Sequence, residues 1–263
     1  MEVTELQDRF KEGSGRRVEL EGKIGVKIRK DRSVSLGKSY SRGIIEITRP
    51  DLVTEGGNGE IEAEIEDCTT GDWSLFLIRP TARNATFRNL KVRVHIRNPQ
   101  ASTRHFSLFY NMAYGVKFEN CQLEVYSDRQ LNLYGIFNNG NADTHLETRA
   151  DNLTVSGSCV RAECRAENYP AECTVYGLYN YLANSISVQD TFVYATNRGD
   201  GEGQKAVGLY SNGRFGRFEG NNIKANGCHN LGMAKEQAHA YGMINEGMYS
   251  IVTGNNLVGE WGA

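Results

Sequence analysis

The densest mixture of titratable side chains in this chain lies between residues 139 and 151, in the run NGNADTHLETRAD. Asp143, His145 and Glu147 alternate there, with Arg149 and Asp151 close behind. Two carboxylates beside an imidazole are the groups that protonate a leaving oxygen and activate water at a glycosidic bond. Asp143, His145 and Glu147 are therefore candidate catalytic residues. The same oxygen-rich set would also suit Ca2+ as a cofactor, or stand as ordinary solvated charge; no other cofactor and no transition metal is expected.

A second set of residues is aromatic. Short apolar runs recur as Leu108-Phe-Tyr-Asn111, Gly135-Ile-Phe-Asn138, Gly177-Leu-Tyr-Asn180 and Gly208-Leu-Tyr-Ser211, with Phe76-Leu-Ile-Arg79 before them and Gly242-Met-Ile-Asn245 after. Aligning them places Tyr110, Phe137, Tyr179 and Tyr210 in one column. The preceding column, Leu77, Phe109, Ile136, Leu178, Leu209 and Met243, is mostly aliphatic and is expected to face inward. Strand alternation then turns the aromatic column outward, beside a strip of Gly135, Gly177, Gly208 and Gly242. A flat aromatic ridge along a bare glycine groove would be a sugar platform, which makes the four rings candidate substrate-binding residues. The opposite assignment would stack them in the core.

Both sets need a scaffold that repeats, and a second pattern supplies it. An apolar–x–turn-former–x–x–apolar motif appears at Phe87–Val92, Phe118–Leu123, Val155–Val160, Val188–Val193, Phe218–Ile223 and Val252–Leu257. The third residue is Asn89, Asn120, Gly157, Asp190, Gly220 or Gly254, each a type that tolerates positive φ. Strand and motif are ten or eleven residues apart in five of six units, and twenty apart only where the Asp143 loop intervenes. Insertions on a solenoid gather on its working face. Neither a 3.6-residue period nor a Leu-rich consensus is present. The expected fold is all-β, a right-handed parallel β-helix of about six to eight coils in one domain, 1–263.

Its ends are less regular. Thr4-Glu-Leu-Gln7 reads as a capping box, with Val3, Leu6 and Phe10 on one face, so residues 1–14 are expected to form a helix that lids the solenoid. Residues 15–65 alternate like strands but fit the repeat poorly, giving irregular first coils ahead of regular ones at 66–263. Leu257 is followed only by VGEWGA. The last unit is thus either cut short or packed on another subunit, and homo-oligomer formation through this bare end is the expectation. Asparagines at equivalent turns, Asn89 with Asn120 and Asn221 with Asn255, are expected to form ladders between coils.

Composition excludes several classes. Thirty basic against 32 acidic residues leave a net charge of −2, without the basic excess that nucleic-acid binding needs. No apolar run is long enough for a membrane helix. The N-terminal MEVTELQDRF lacks a leader pattern, so the expected compartment is the cytoplasm, or the outside if a leader has been trimmed. Six cysteines without a CxxC pair argue against zinc and against a disulfide scaffold. Cys164 and Cys173 flank a short loop and would bridge only in an oxidising setting, so free thiols are expected.

The helix followed by coils of this FxN/GxxL type resembles the pectate-lyase-like right-handed β-helix superfamily, which includes pectate lyases, polygalacturonases and phage tailspikes. The likeness covers the whole chain as architecture. It implies a carbohydrate partner: a polysaccharide lyase or glycosidase, or else a non-catalytic glycan-binding, adhesin or assembly module. Polygalacturonase motifs (NTD, DD, GHG) are absent. Arg79-Pro-Thr-Ala-Arg83 has its proline one place early for the lyase RxPxxR, so no catalytic arginine is carried over.

Overall fold

The computed structural model describes residues 3–11, 16–28, 42–66, 73–97, 105–140, 149–166, 173–199, 204–228 and 239–262. Helix α1 (Val3–Lys11) opens the chain, and a three-strand unit then repeats. β1 (Arg17–Glu19), β2 (Lys23–Ile28) and β3 (Arg42–Ile47) form the first round; β4 (Val53–Glu55), β5 (Glu60–Glu66) and β6 (Trp73–Ile78) form the second. Next come β7 (Thr86–Arg88), β8 (Lys91–Arg97) and β9 (His105–Asn111), then β10 (Lys117–Glu119), β11 (Gln122–Ser127) and β12 (Asn132–Asn139). β13 (Thr154–Ser156), β14 (Cys159–Cys164) and β15 (Thr174–Tyr181) precede β16 (Ser187–Gln189), β17 (Phe192–Asn197) and β18 (Lys205–Ser211). β19 (Arg217–Glu219), β20 (Asn222–Cys228) and β21 (His239–Asn245) lead to β22 (Ile251–Thr253) and β23 (Asn256–Gly262).

Every third strand pairs in parallel with the next. The first sheet runs β1-β4-β7-β10-β13-β16-β19-β22, the second β2-β5-β8-β11-β14-β17-β20-β23, and the third β3-β6-β9-β12-β15-β18-β21. This is a parallel β-solenoid with a helix at its N-terminal end. The first sheet brings the anchor residues into line: Phe87, Phe118, Val155, Val188, Phe218 and Val252 are register partners in sequence. The six turn-formers between the paired anchors all take left-handed φ, from 47° at Asp190 to 64° at Gly220. That bend sends the chain from the first sheet to the second with both flanking apolar residues pointing inward.

The core is a stack of like on like. Phe76 lies on Phe109 at 4.6 Å and Phe87 on Phe118 at 4.9 Å, while Phe87 meets Phe109 edge-on at 5.3 Å. Each fully buried ring of this kind contributes roughly 2–3 kcal/mol through the water it displaces. Burial falls in the last described coil: Val252 and Leu257 occupy the same inward rows yet are 45% and 46% exposed.

Four expectations are corrected. Phe76 pairs with Phe109 and Leu77 with Tyr110, one residue off the sequence alignment, because the buried ring of Phe76 takes the stacking position under Phe109. The described strands within 15–65 keep the register of the later coils: Thr54 stands in register with Phe87, and Ile61 with Val92. The repeat is hard to read there because a buried Thr replaces the apolar anchor. Thr4 lies inside α1 and does not precede it, and Gln7 does not close a capping box. Its amide instead donates to Glu46 O at 3.0 Å and accepts from Glu46 N at 2.7 Å. β3 is the edge of the third sheet, so Gln7 satisfies backbone groups that would otherwise template further strands. Leu6 and Phe10 of the helix are fully buried, Phe10 against the edge of Phe76.

The fourth correction concerns the glycines. Gly135, Gly177, Gly208 and Gly242 are buried and line no outward groove. A Cβ on Gly135 would stand 2.5 Å from Gly177 O and 2.5 Å from Val160 Cγ1; on Gly177 it would stand 2.4 Å from Val193 Cγ1. Glycine is required here because the third sheet closes directly onto the second.

Candidate functional site

The outward face of the third sheet carries the aromatic residues. Along β12, Leu133 is buried in the core, Tyr134 lies on the other face, Gly135 and Ile136 are buried, and Phe137 is half-exposed. Alternation changes phase at the glycine, so Tyr134 and Phe137 share one face although they are three apart. β15 repeats this with Tyr176, Gly177 and Tyr179. The result is two aromatic columns. Tyr110, Phe137, Tyr179 and Tyr210 are consecutive register partners and all half-exposed, which answers the inward-or-outward question for these four. Beside them stand Tyr134 and Tyr176, which the sequence reading missed; the recurring Tyr-Gly pair at 134–135 and 176–177 is the signal that would have found them.

Ring geometry sets what the face offers a ligand. Centroids along the main column are 4.8 Å apart for Tyr110–Phe137, 5.0 Å for Phe137–Tyr179 and 4.8 Å for Tyr179–Tyr210. Tyr179 and Tyr210 are stacked at 17°, and Tyr134 and Tyr176 at 2° and 5.2 Å. Phe137 breaks the series, standing at 83° to Tyr179 and 60° to Tyr110. The strip is thus not a flat platform. Rings stacked along the solenoid axis cover each other's faces, leaving edges and phenol oxygens toward solvent.

Polar groups punctuate the strip. Tyr210 Oη donates to Glu246 Oε2 at 2.7 Å, Asn139 Nδ2 donates to Tyr110 Oη, and His105 Nδ1 lies 3.3 Å from Tyr134 Oη. Burial, with its phenol neighbours and Glu246, pushes the Tyr179 hydroxyl up to about 12. Burial and the bond to Glu246 move Tyr210 upward too, and burial raises Tyr176. These phenols are therefore neutral hydrogen-bond donors at physiological pH, next to a carboxylate acceptor. Donors, an acceptor and apolar ring edges at one coil spacing make an amphipathic surface suited to polyhydroxylated chains.

Beneath the aromatic column lies a buried amide ladder. Asn111 donates to Asn138 Oδ1 at 2.7 Å, Asn138 to Asn180 Oδ1 at 2.7 Å, and Asn180 to Ser211 Oγ at 3.0 Å. Each also holds a nearby carbonyl: Asn111 that of Ala113, Asn138 that of Ala150, Asn180 that of Ala183. A similar bond joins Asn221 to Asn255 at 2.8 Å, as the turn asparagines led one to expect, whereas Asn89 donates to Glu55. The ladder locks the corner after each strand of the third sheet and so fixes the rings one residue before it.

Asp143, His145 and Glu147 lie outside the described residues, as does any Ca2+ site built from them. Arg149 and Asp151 of the same run are described and serve the scaffold: Arg149 Nη2 donates to Leu182 O, and Asp151 Oδ1 accepts from Asn184 N at 2.6 Å. Among the described residues no group of three His, Cys, Asp or Glu side chains is placed to hold a metal.

The second sheet presents a contrasting face, polar and internally paired. Glu163, 2% exposed, receives Arg161 at 2.9 Å, Arg198 at 3.1 Å and Arg165 at 3.4 Å. Arg93 joins Glu124 at 2.9 Å, and Arg165 lies over the Tyr126 ring at 4.1 Å. Opposite charges alternate from coil to coil there, which holds register and leaves the third sheet as the more amphipathic surface. No helix among the described residues is long and apolar enough to cross a membrane. Comparison with protein-family models, with curated proteins and with solved structures returned no significant match.

Proposed function

We propose that this chain binds carbohydrate along the outward face of its third sheet. The observation that carries the reading is the continuous column Tyr110, Phe137, Tyr179 and Tyr210, half-exposed on four adjacent coils with centroids 4.8–5.0 Å apart. Aromatic groups repeated at that interval offer an extended glycan one contact per coil, with polar groups such as the Tyr210–Glu246 pair alongside its hydroxyls. The likeness of the coil motifs to pectate-lyase-like β-helices points the same way through fold alone.

Binding without turnover is the reading favoured by the strip's phenols, Tyr179 among them held neutral, and by its carboxylate Glu246, already engaged by Tyr210. A lyase or glycosidase reaction on the same face would draw on Asp143, His145 and Glu147, which follow Phe137 and Asn139 in the chain. Glycan-array retention of the native chain against a Tyr179→Ala, Tyr210→Ala double variant tests the proposal. Loss of retention with the circular dichroism spectrum preserved supports it; equal retention removes the strip as the site. Any turnover found on a retained glycan should vanish in Asp143→Ala, Glu147→Ala; unchanged turnover would place the reaction elsewhere.

A further inference from the structure

Opposite charges answer one another across most of the second sheet, but the rule breaks at β14 and β17. Arg165 and Arg198 follow the last register pair of these strands, Cys164 with Asn197, so two guanidiniums stand on neighbouring coils. Like charges side by side on adjacent strands are destabilising. Arg161 is a third, two residues before Glu163 on β14. All three converge on that one buried carboxylate through one nitrogen each: Nη2 of Arg161, Nη2 of Arg198 and Nε of Arg165. Glu124 offers no relief, since Arg93, Gln122 and Tyr126 already donate to it, and Asp128 is turned to His95 at 2.8 Å. Three guanidiniums thus face a single carboxylate, and a positive excess remains even with Asp128 counted against it.

Satisfying Glu163 does not need so many donors, because one guanidinium fork can serve both oxygens of a carboxylate. The surplus is held in place at the surface. Arg161 lies over the rings of both Tyr126 and Tyr194, at 5.6 and 5.1 Å from their centroids, and Arg165 lies over Tyr126 at 4.1 Å. The side chains of Arg161, Arg165 and Arg198 are 39%, 42% and 52% exposed, against 2% for Glu163. Two polar atoms beside them have no partner: Arg161 Nε, and Oγ1 of Thr196, the buried register partner of Glu163. We infer that this cluster is a binding site for a small tetrahedral oxyanion, a phosphate or sulfate group. Such a group presents several acceptor oxygens to the unused guanidinium N–H donors and cancels the charge excess. Thr196, on the outward row of β17 with Tyr194, adds an unspent hydroxyl. A ligand reaches the site directly from solvent, since the guanidiniums form its outer surface.

Isothermal titration of the full chain with sodium phosphate and with sodium sulfate, against sodium chloride at equal ionic strength, tests this. Saturable heat from at least one of the tetrahedral ions, absent with chloride, is expected. Arg198→Gln should weaken binding about ten-fold, because a charge-assisted hydrogen bond is lost. Arg97→Gln, which removes a guanidinium paired with Glu64 on the same sheet, should leave it unchanged. Glu163→Gln should bind the ion more tightly, since the competing negative charge is gone while an acceptor oxygen stays. A cluster that served only to neutralise Glu163 would gain nothing from that change. Methyl phosphate separates the sources: binding tighter than inorganic phosphate assigns the site to an ester group, weaker binding to the free ion. Heat indistinguishable from chloride on the native chain, equal weakening in Arg97→Gln, or no gain in Glu163→Gln would overturn the inference. The first of these needs no variant, so a poorly folding substitution does not spoil the test. The site lies on the second sheet, and none of these outcomes bears on glycan retention by the third.

Discussion

Tyr179 stacks on Tyr210 at 4.8 Å and 17°, while Phe137, one coil the other way, turns 83° from Tyr179. The aromatic column therefore changes character along its length, from stacked phenols to a ring standing across them. Tyr179 is the junction, and its substitutions separate binding from folding. Tyr179→Phe keeps the stack and removes one hydroxyl; stability should change by less than about 1 kcal/mol, and any loss of glycan retention would measure the phenol alone. Tyr179→Ala should cost about 1–3 kcal/mol in chemical denaturation, because the ring is only half-buried. A loss beyond that range would place it in the core.

The amide ladder should be far less tolerant. Asn138→Ala strips partners from Asn111 Nδ2, Asn180 Oδ1 and the carbonyl of Ala150 at a buried site. Leaving such groups unsatisfied costs about 1–3 kcal/mol each, so the variant should lose on the order of 3 kcal/mol or more by urea titration. An unchanged midpoint would mean that the ladder is not what holds the corner.

Gly177→Ala examines how closely the sheets meet. The new methyl would stand 2.4 Å from Val193 Cγ1 and 2.7 Å from Gly208 O, and the backbone oxygen cannot yield without moving β18. A loss of about 1–3 kcal/mol is expected, partly restored by Val193→Ala, which opens the space on one side only. Failure of Val193→Ala to restore any stability would put the whole cost on the backbone contact.

Alkali should destabilise the fold within a definite window. Tyr179 and Tyr126 are raised from 10.0 to about 12, chiefly by burial, and Tyr210 and Tyr176 move the same way. In the unfolded chain these phenols ionise near pH 10, in the folded protein only later. Stability is therefore fully present below pH 10 and falls as pH rises toward about 12. Denaturation midpoints from pH 8 to 12, read beside phenolate absorbance, check this; a flat profile across the window would contradict the raised values.

A final prediction rests on a departure from the turn chemistry. The corner that leads into each first-sheet strand from β4 onward has left-handed φ, supplied by Asp51, Asn84, Gly115, Asn152 and Ser185, but by Phe215 and Tyr249 in the last two coils. Those rings are well exposed and stack on each other at 5.4 Å. A bulky residue in this conformation costs roughly 1–2 kcal/mol. Phe215→Asn should thus raise stability by up to about 1 kcal/mol in thermal melts while glycan retention on the third sheet stays intact. Lost stability would mean that the exposed stack outweighs the strain.

Much of this molecule was readable in its sequence because a solenoid writes its geometry at short range. The turn-former two past each anchor takes left-handed φ, which Asn, Asp and Gly adopt at least cost, so Asn89, Asn120, Gly157, Asp190, Gly220 and Gly254 announced both the fold and its period. Alternation within single strands offered the outward turn of Tyr110, Phe137, Tyr179 and Tyr210 but left the inward one open, and only the wound coils decide between them. What a neighbouring coil or sheet does to a residue left no such trace. Whether Gly177 bounds a groove or a wall depends on Val193 in another sheet, and whether Gln7 caps its own helix depends on the bare edge of β3. Rings one coil apart choose between stacking and crossing by packing alone, so Phe137 and Tyr179 look alike in sequence and stand nearly perpendicular in space. Periodicity is a property of the chain; contact between coils exists only once the chain has wound.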